Sequence, residues 1–409
     1  MKLGLIGMPL GHSWSPEIHK YLTCADYSLW EIEEKDLDEF FARRDFDGIN
    51  VTIPYKARVK EYLDEIDEAA ERMNAVNCIT NNDGILKGYN TDYMGLVRMM
   101  QSRNVQDICE SAAILGTGGA AAAATEACRM LGIEFAMVSR SSKEGSISYD
   151  ELYASDNIDL IINATPVGMM PNEDEAPIDI SRLKNVRYVI DIVANPLRTR
   201  LCFEAGLMGI PSCGGLEMLV RQALSAEEIF LGRELDSGLA DECMQRLLSE
   251  RRNVVLIGMP SSGKSTVGAE LAAALGREFW DSDSVITERI GMQISDFFRE
   301  FGEKEFRKIE SEVLKELAGL QGVVIATGGG AVESEENMRN LAYNGVLVWV
   351  DRPLELLTPT DSRPLTADRE RLERMYVRRQ DLYAAYADVR ISNAGDIASA
   401  VDEIKEGIR

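Results

Sequence analysis

The chain has 409 residues, 45% of them apolar and 27% charged, which is material for two or three domains with packed cores. Its net charge of −24 excludes sequence-independent nucleic-acid binding, which needs a basic face, and demands local Arg and Lys wherever an anion is held. Seven scattered cysteines without a CxxC pair exclude a disulfide framework and a structural zinc site and suit a cytoplasmic chain, and no apolar run is long enough to cross a membrane.

In chain order, "KLGLIG", "YSLWEI" and "GINVTI" read as short strands alternating with the helical "SPEIHKYLTCA" and "DLDEFFARR". Gly and Pro break the N-terminal apolar run early, so it reads as a first strand rather than a signal peptide. Next, "SAAILGTGGAAAAATEACRMLGIEFAMVSR" gives strand, Gly-rich turn, Ala-rich helix and strand, and "LIINAT" and "YVIDIV" add further strands. Two helical patterns follow, "LEMLVRQALSAEEIFLG" and "LADECMQRLLSERR". The second runs almost directly into "NVVLIGMPSSGKSTVGAELAAALG", again strand, loop and helix, with "GVVIAT" and "GVLVWV" as later strands. This alternation is α/β architecture. "LIGMP" occurs at both Leu5–Pro9 and Leu256–Pro260, but the two copies diverge at once, so each is a buried first strand ending in a turn and not a repeat.

Gly116-Thr117-Gly118-Gly119-Ala120-Ala121 reads G-x-G-x-x-A between a strand and a helix, where glycines let backbone approach a pyrophosphate at the helix N-terminus. The next strand ends in "VSRSSK". Ser139, Arg140, Ser141 and Lys143 stand where an NAD site would carry an acid, and they favour the 2′-phosphate of NADP. "GMPLGHSWSPEIHK", "GINVTIPYK", "MNAVNCI", "GYNTDYMG", "GTGGAA", "INATPVGM" and "GLEMLVRQA" together resemble shikimate dehydrogenase over about residues 1–235. The resemblance implies a substrate domain over 1–105, completed by helices at about 214–250, and a Rossmann-like NADP domain over 106–213. It implies NADPH-dependent reduction of 3-dehydroshikimate to shikimate. Lys56 and Asp92 match the catalytic pair, since the alkoxide left by hydride delivery must receive a proton. Ser13, Ser15 and Thr52 match hydroxyls that bind the carboxylate, and Asn50, Asn77 and Gln222 match amides that hold ring oxygens. Asn163, Thr165 and Gly215 match positions bordering the cofactor. One departure is Ala194, where the family usually has Tyr. Of the two histidines, His12 and His19, neither has the further ligands a metal needs, and His12 is expected to bond locally.

Gly258-Met259-Pro260-Ser261-Ser262-Gly263-Lys264-Ser265 satisfies G-x-x-x-x-G-K-[ST], with Thr266 following at the helix start. Backbone N–H groups there cradle the phosphates of ATP, Lys264 reaches the β/γ-phosphates and Ser265 ligates Mg²⁺. "DSD", "FGEKEFRKIE", "TGGGAV", "SRPL" and "RRQDLYAAYA" resemble shikimate kinase over about residues 253–409. The resemblance implies a P-loop domain with a parallel sheet, in which Asp283 is the base and Asp281 supports Mg²⁺ through water. Arg307, oriented by Glu310, and Arg379 would clamp the carboxylate. Gly328, Gly329 and Gly330 would admit the substrate ring, and Arg363 would come from a lid that is short here. The expected partners are small molecules, and a homo-oligomer is compatible with the composition. Two other readings fit parts of the sequence. A quinate/shikimate dehydrogenase fused to a kinase is opposed by Arg140. A ligand-sensing regulatory protein with an inactive domain is opposed by intact Lys56, Asp92, Lys264 and Asp283.

Overall fold

The two "LIG" strands, Leu3–Gly7 and Asn253–Ile257, are buried along their whole length. Each lies inside its sheet with a parallel neighbour on both sides, and a strand covered on both faces needs such an unbroken apolar run. The computed structural model describes residues 1–11, 13–141, 144–358 and 369–408. They form two compact units, Met1–Met244 and Gln245–Arg409, with the boundary inside the helix Gly238–Arg251.

The first unit holds two sheets. One contains β1 (Leu3–Gly7), β2 (Tyr27–Glu31), β3 (Gly48–Val51), β4 (Glu65–Ile66), β5 (Cys78–Asn82) and β6 (Ile85–Tyr89), in the order β2-β1-β3-β5-β6-β4. Strands β1, β2 and β3 run parallel, whereas β5 is antiparallel to β3 and β6. The β5–β6 hairpin turns on Asp83-Gly84, both at positive φ, the pairing a two-residue hairpin loop demands. Asp-Gly is the sequence signal for such a turn.

The other sheet contains β7 (Ser111–Leu115), β8 (Glu134–Val138), β9 (Ser146–Ile147), β10 (Leu160–Asn163), β11 (Tyr188–Asp191) and β12 (Ser212–Cys213), in the order β12-β11-β10-β7-β8-β9. All its pairs are parallel. Alternate residues of β7 face opposite cores: Ala112 and Ile114 pack with Ala121, Ala124 and Ala127 of the helix Gly119–Leu131, and Ala113 and Leu115 pack with Leu152, Val189 and Leu201. The order reverses direction between β7 and β10, which opens a crevice at their C-terminal ends. The helices Thr91–Ser102 and Gly215–Leu231 pack on each other closely. A side chain at Gly95 would strike the backbone of Gln222 and Met218.

The second unit is a five-stranded parallel sheet of β13 (Asn253–Ile257), β14 (Phe279–Asp281), β15 (Val324–Ala326), β16 (Gly345–Asp351) and β17 (Val389–Ser392), ordered β14-β15-β13-β16-β17. Its core joins Val254, Leu256, Val324 and Val348 to Val267 and Leu271 of the helix Lys264–Leu275. The run Ile294–Ala318 is helical apart from Gly302, whose φ of 83° breaks it before the turn that carries Arg307 and Glu310.

Candidate active sites

A cavity of about 250 Å³ in the first unit is lined by Ser13, Ser15, Asn50, Thr52, Lys56, Asn77, Asp92 and Gln222, every residue expected to hold or convert the substrate. Asn50 lies within β3, Asn77 precedes β5, and Asp92 lies in the first turn of Thr91–Ser102, whose cap Asn90 accepts the Asp92 N–H at 3.0 Å. Lys56 Nζ donates to Asp92 Oδ2 at 2.6 Å, and the pair is only partly exposed. Asn77 Nδ2 donates to Asp92 Oδ1 at 2.8 Å, while Asn77 Oδ1 accepts the Thr91 N–H at 2.6 Å. Thr91 Oγ1 donates to Gln222 Oε1 at 3.0 Å. Thr91 is fully buried and orients two amides of the site. Nothing in the sequence marks Thr91 for this role, because its two amide partners come from positions 14 and 131 residues away. The polar part of the lining is hydroxyls and amides around one ion pair, which suits a polyhydroxylated acid.

A second cavity of about 670 Å³ opens at the crevice, lined by Gly116, Thr117, Gly118, Ser139, Arg140, Ser141 and Thr165 among others. Gly116 has φ of 108°, and a side chain at Gly118 or Gly119 would meet no atom, so this backbone is open to a ligand. Gly118 caps the helix Gly119–Leu131, and Gly119 and Ala120 form its first turn with free N–H groups for an anion. Lys143 lies outside the described residues.

Two expected cofactor contacts are placed elsewhere. Asn163 is fully buried and does not line the crevice. Its Nδ2 donates to Asp191 Oδ1 at 2.9 Å and its Oδ1 accepts from Thr165 Oγ1 at 2.7 Å, so it shapes the loop that presents Thr165. Gly215 lies against the backbone of Ile192 and Val193, where any side chain would collide, and it is not among the residues that line the crevice. Beneath the crevice, Asp191 is fully buried and accepts from Asn163, Val193 N and Thr199 Oγ1. Burial outweighs these bonds and pushes its carboxyl up to about 6. No short motif marks it.

In the second unit a cavity of about 580 Å³ is lined by Asp283, Arg307, Glu310, Gly328, Gly329, Gly330 and Arg379, with Phe298, Phe306 and Met375 as apolar walls. Arg307 Nη1 donates to Glu310 Oε2 at 2.7 Å and its Nη2 to Glu303 Oε1 at 3.0 Å. Burial raises the Glu310 carboxyl despite the Arg307 charge. Arg379 is buried, donating through Nη1 to Gly329 O at 2.9 Å and through Nε to Glu333 Oε1 at 3.2 Å. Glu333 also meets Arg378 at 2.8 Å and Arg307 at 3.9 Å. Burial alone would raise Glu333, but the Arg379 hydrogen bond and the three guanidinium charges bring it below the usual carboxylate range. Glu333 was not foreseen, since its partners come from two distant helices. The glycines have a reason beyond substrate approach: side chains at 328, 329 and 330 would strike Asp283, Pro260 and Arg307.

The phosphate loop leaves β13 with Gly258 and Gly263 at φ of 148° and 89°. Lys264 Nζ donates to Gly258 O at 2.9 Å and Met259 O at 2.8 Å, and Asn393 Nδ2 braces Ser262 O at 2.7 Å. Ser261 also has positive φ, Ser262 is buried, and Ser265 and Thr266 are exposed at the helix start. Ser265 Oγ lies 2.5 Å from Asp281 Oδ2. A hydroxyl beside one carboxylate fits Mg²⁺, which keeps waters and takes phosphate oxygens for its remaining ligands. Among the described residues no cluster of three His, Cys, Asp or Glu could hold a metal by itself. Arg363 lies outside the described residues. Among those described, no helix is long and apolar enough to cross a membrane.

The family model "Shikimate dehydrogenase substrate binding domain" matches residues 5–79, and the model "Shikimate kinase" matches residues 260–409. The chain is 38% identical over 253 residues to "Shikimate dehydrogenase (NADP(+))" of Clostridium beijerinckii, covering 58% of this chain and 94% of that protein. It is 34% identical to the protein of the same description in Bacillus subtilis, over 56% of this chain and 91% of that one. Among solved structures, a chorismate mutase/shikimate 5-dehydrogenase fusion protein from Clostridium acetobutylicum matches at TM-score 0.57 and 35% identity, over 60% of this chain and 96% of that one. The shikimate 5-dehydrogenase of Thermus thermophilus, in complex with NADP(H) and shikimate, matches at TM-score 0.56 and 27% identity, over 60% of this chain and 99% of that one. With a lysine–aspartate pair in one cleft and a phosphate loop in a separate unit, the chain belongs to the shikimate dehydrogenase family and carries a shikimate kinase domain after it, so that both enzymes are present in one polypeptide.

Proposed function

We propose that the chain catalyses two consecutive reactions: reduction of 3-dehydroshikimate to shikimate with NADPH, then ATP-dependent phosphorylation of shikimate to shikimate 3-phosphate. In this reading residues 1–105 with 214–250 bind the substrate, 106–213 bind NADP, and 253–409 form the kinase. The reading places the chain in the cytoplasm.

The observation that carries the first half is the Lys56–Asp92 pair inside a cleft of neutral donors. Bound NADPH supplies the hydride. Lys56, held by Asp92, polarises the ketone and hands its proton to the oxygen that becomes the new hydroxyl. Ser13, Ser15 and Thr52 hold the carboxylate, while Asn50, Asn77 and Gln222 hold ring oxygens. Arg140 and Ser139 favour the cofactor with a 2′-phosphate, beside Gly116, Gly118, Gly119, Ala120 and Thr165.

For the second half, Arg307 and Arg379 fork the shikimate carboxylate, a geometry two guanidiniums recognise well. Asp283 takes the proton of the attacking hydroxyl. Lys264 leaves its loop carbonyls for the phosphates of ATP, and Ser265 and Asp281 hold Mg²⁺, whose charge offsets that of the phosphates. The test supplies 3-dehydroshikimate, NADPH, ATP and Mg²⁺ to the purified chain. Oxidation of NADPH followed by appearance of shikimate 3-phosphate is expected. Oxidation with no phosphorylated product, or neither change, would reject the pairing of activities.

A further inference from the structure

Beneath the dehydrogenase cleft lies a buried tyrosine that the chemistry above does not use. Tyr27, the first residue of β2, donates its hydroxyl to Asn50 Oδ1 at 2.8 Å. Asn50 Nδ2 donates to Asn77 O at 3.2 Å. A carbonyl can only accept, so Asn77 O fixes which end of the Asn50 amide is nitrogen, and Tyr27 then satisfies the oxygen end. Burial raises the Tyr27 phenol well above its ordinary value, so it remains a donor.

The tyrosine is itself held. Its ring stacks on His19 with centroids 4.0 Å apart and planes 9° from parallel. His19 Nδ1 lies 2.5 Å from Glu227 Oε1, and Glu227 Oε2 accepts from Thr23 Oγ1 at 2.9 Å. His19 and Glu227 side chains are each 1% exposed. His19 belongs to the helix that begins with Ser15, and Glu227 to the helix that supplies Gln222. The pair therefore ties two substrate-facing helices together, and the ring stack joins Tyr27 of β2 to them. As mere core filling it is a poor choice, because burying a histidine–carboxylate pair costs desolvation and leaves His19 Nε2 without a partner.

We propose that Tyr27 is a positioning residue for the dehydrogenase substrate: it sets the Asn50 amide, and the His19–Glu227 pair holds Tyr27 in place. The proposal rests on the reading that Asn50 faces the substrate.

Tyr27→Phe keeps the ring stack and removes only the hydroxyl. In the full chain it should raise the dehydrogenase KM for shikimate about 10-fold, since a buried amide oxygen loses its donor. The kcat should stay within about threefold, a split that marks lost substrate binding and not lost chemistry. Affinity for NADP+ and the kinase rate of the same chain should not change. In an Asn50→Ala background, Tyr27→Phe should alter KM less than about twofold, because the group it acts through is gone. Equal effects of Tyr27→Phe in both backgrounds, or a normal KM in Tyr27→Phe when Asn50→Ala raises it, would overturn the proposal. So would parallel loss of NADP+ affinity, which would show a structural role. A normal KM in Asn50→Ala would instead remove the reading of the cleft, and the proposal with it.

Discussion

Lys56 Nζ lies 2.6 Å from Asp92 Oδ2, and the other oxygen of that carboxylate accepts from Asn77 Nδ2 at 2.8 Å. Asp92 thus joins the proton donor to the amides that face the same cavity, and the ammonium cannot shift without disturbing a wider set of bonds.

Lys56→Ala should therefore lower the dehydrogenase rate by about 10²- to 10⁴-fold, the usual worth of a positioned acid–base group. The kinase rate should remain near wild type. Lys264→Ala should do the reverse. Steady-state rates of both reactions on each purified variant check this; a folded variant that lost both activities would contradict two independent sites.

Arg140 lines the nucleotide crevice with Ser139 and Ser141. Arg140→Asp should weaken NADPH by about 10-fold or more while NADH changes little, since only NADPH carries the phosphate that a charge-assisted bond would hold. Fluorescence titration of the two cofactors measures the difference. Equal loss for both would place Arg140 away from the 2′-phosphate.

Glu333 contacts Arg307, Arg378 and Arg379 without lining the cavity, so it holds the clamp from behind. Glu333→Gln should raise the kinase KM for shikimate roughly 3- to 10-fold, within the span of one or two weakened charge-assisted bonds. The kinase kcat and the dehydrogenase should change little. An unchanged KM would show that the arginines hold their geometry without it.

Asp191 makes stability depend on pH in a defined direction. Burial lifts its carboxyl to about 6, against about 4 in an unfolded chain, so the folded state binds the proton more tightly. Its contribution is complete below about pH 4 and is lost as pH rises through 6, by roughly 3 kcal/mol in all. Asp191→Asn can keep accepting from Asn163 and Val193 N while donating to Thr199 Oγ1. It should flatten this slope, so the variant gains on wild type between pH 4 and 7. Denaturant midpoints of the first unit across that range read it out, and parallel curves for the two proteins would refute it.

Much of the site was legible in the linear chain. G-x-G-x-x-A and G-x-x-x-x-G-K-S could be named in advance because turns and helix starts are decided by neighbours a few positions apart, whereas the residues from Ser13 to Gln222 follow only from the resemblance to shikimate dehydrogenase. The positive φ of Gly116, Gly258 and Gly263 is such a local demand. Asn163 and Gly215 stand in recognisable motifs too, but only the packed structure shows that one amide is spent on Asp191 and Thr165 and that the glycine is pressed on Ile192. The supporting groups were invisible for a different reason. Tyr27 meets Asn50 across 23 residues, Arg379 meets Glu333 across 46, and His19 meets Glu227 across 208. Such pairs carry no spacing signature, because the bond forms only after helices and strands distant in the chain have packed and excluded the water that would otherwise satisfy each group alone.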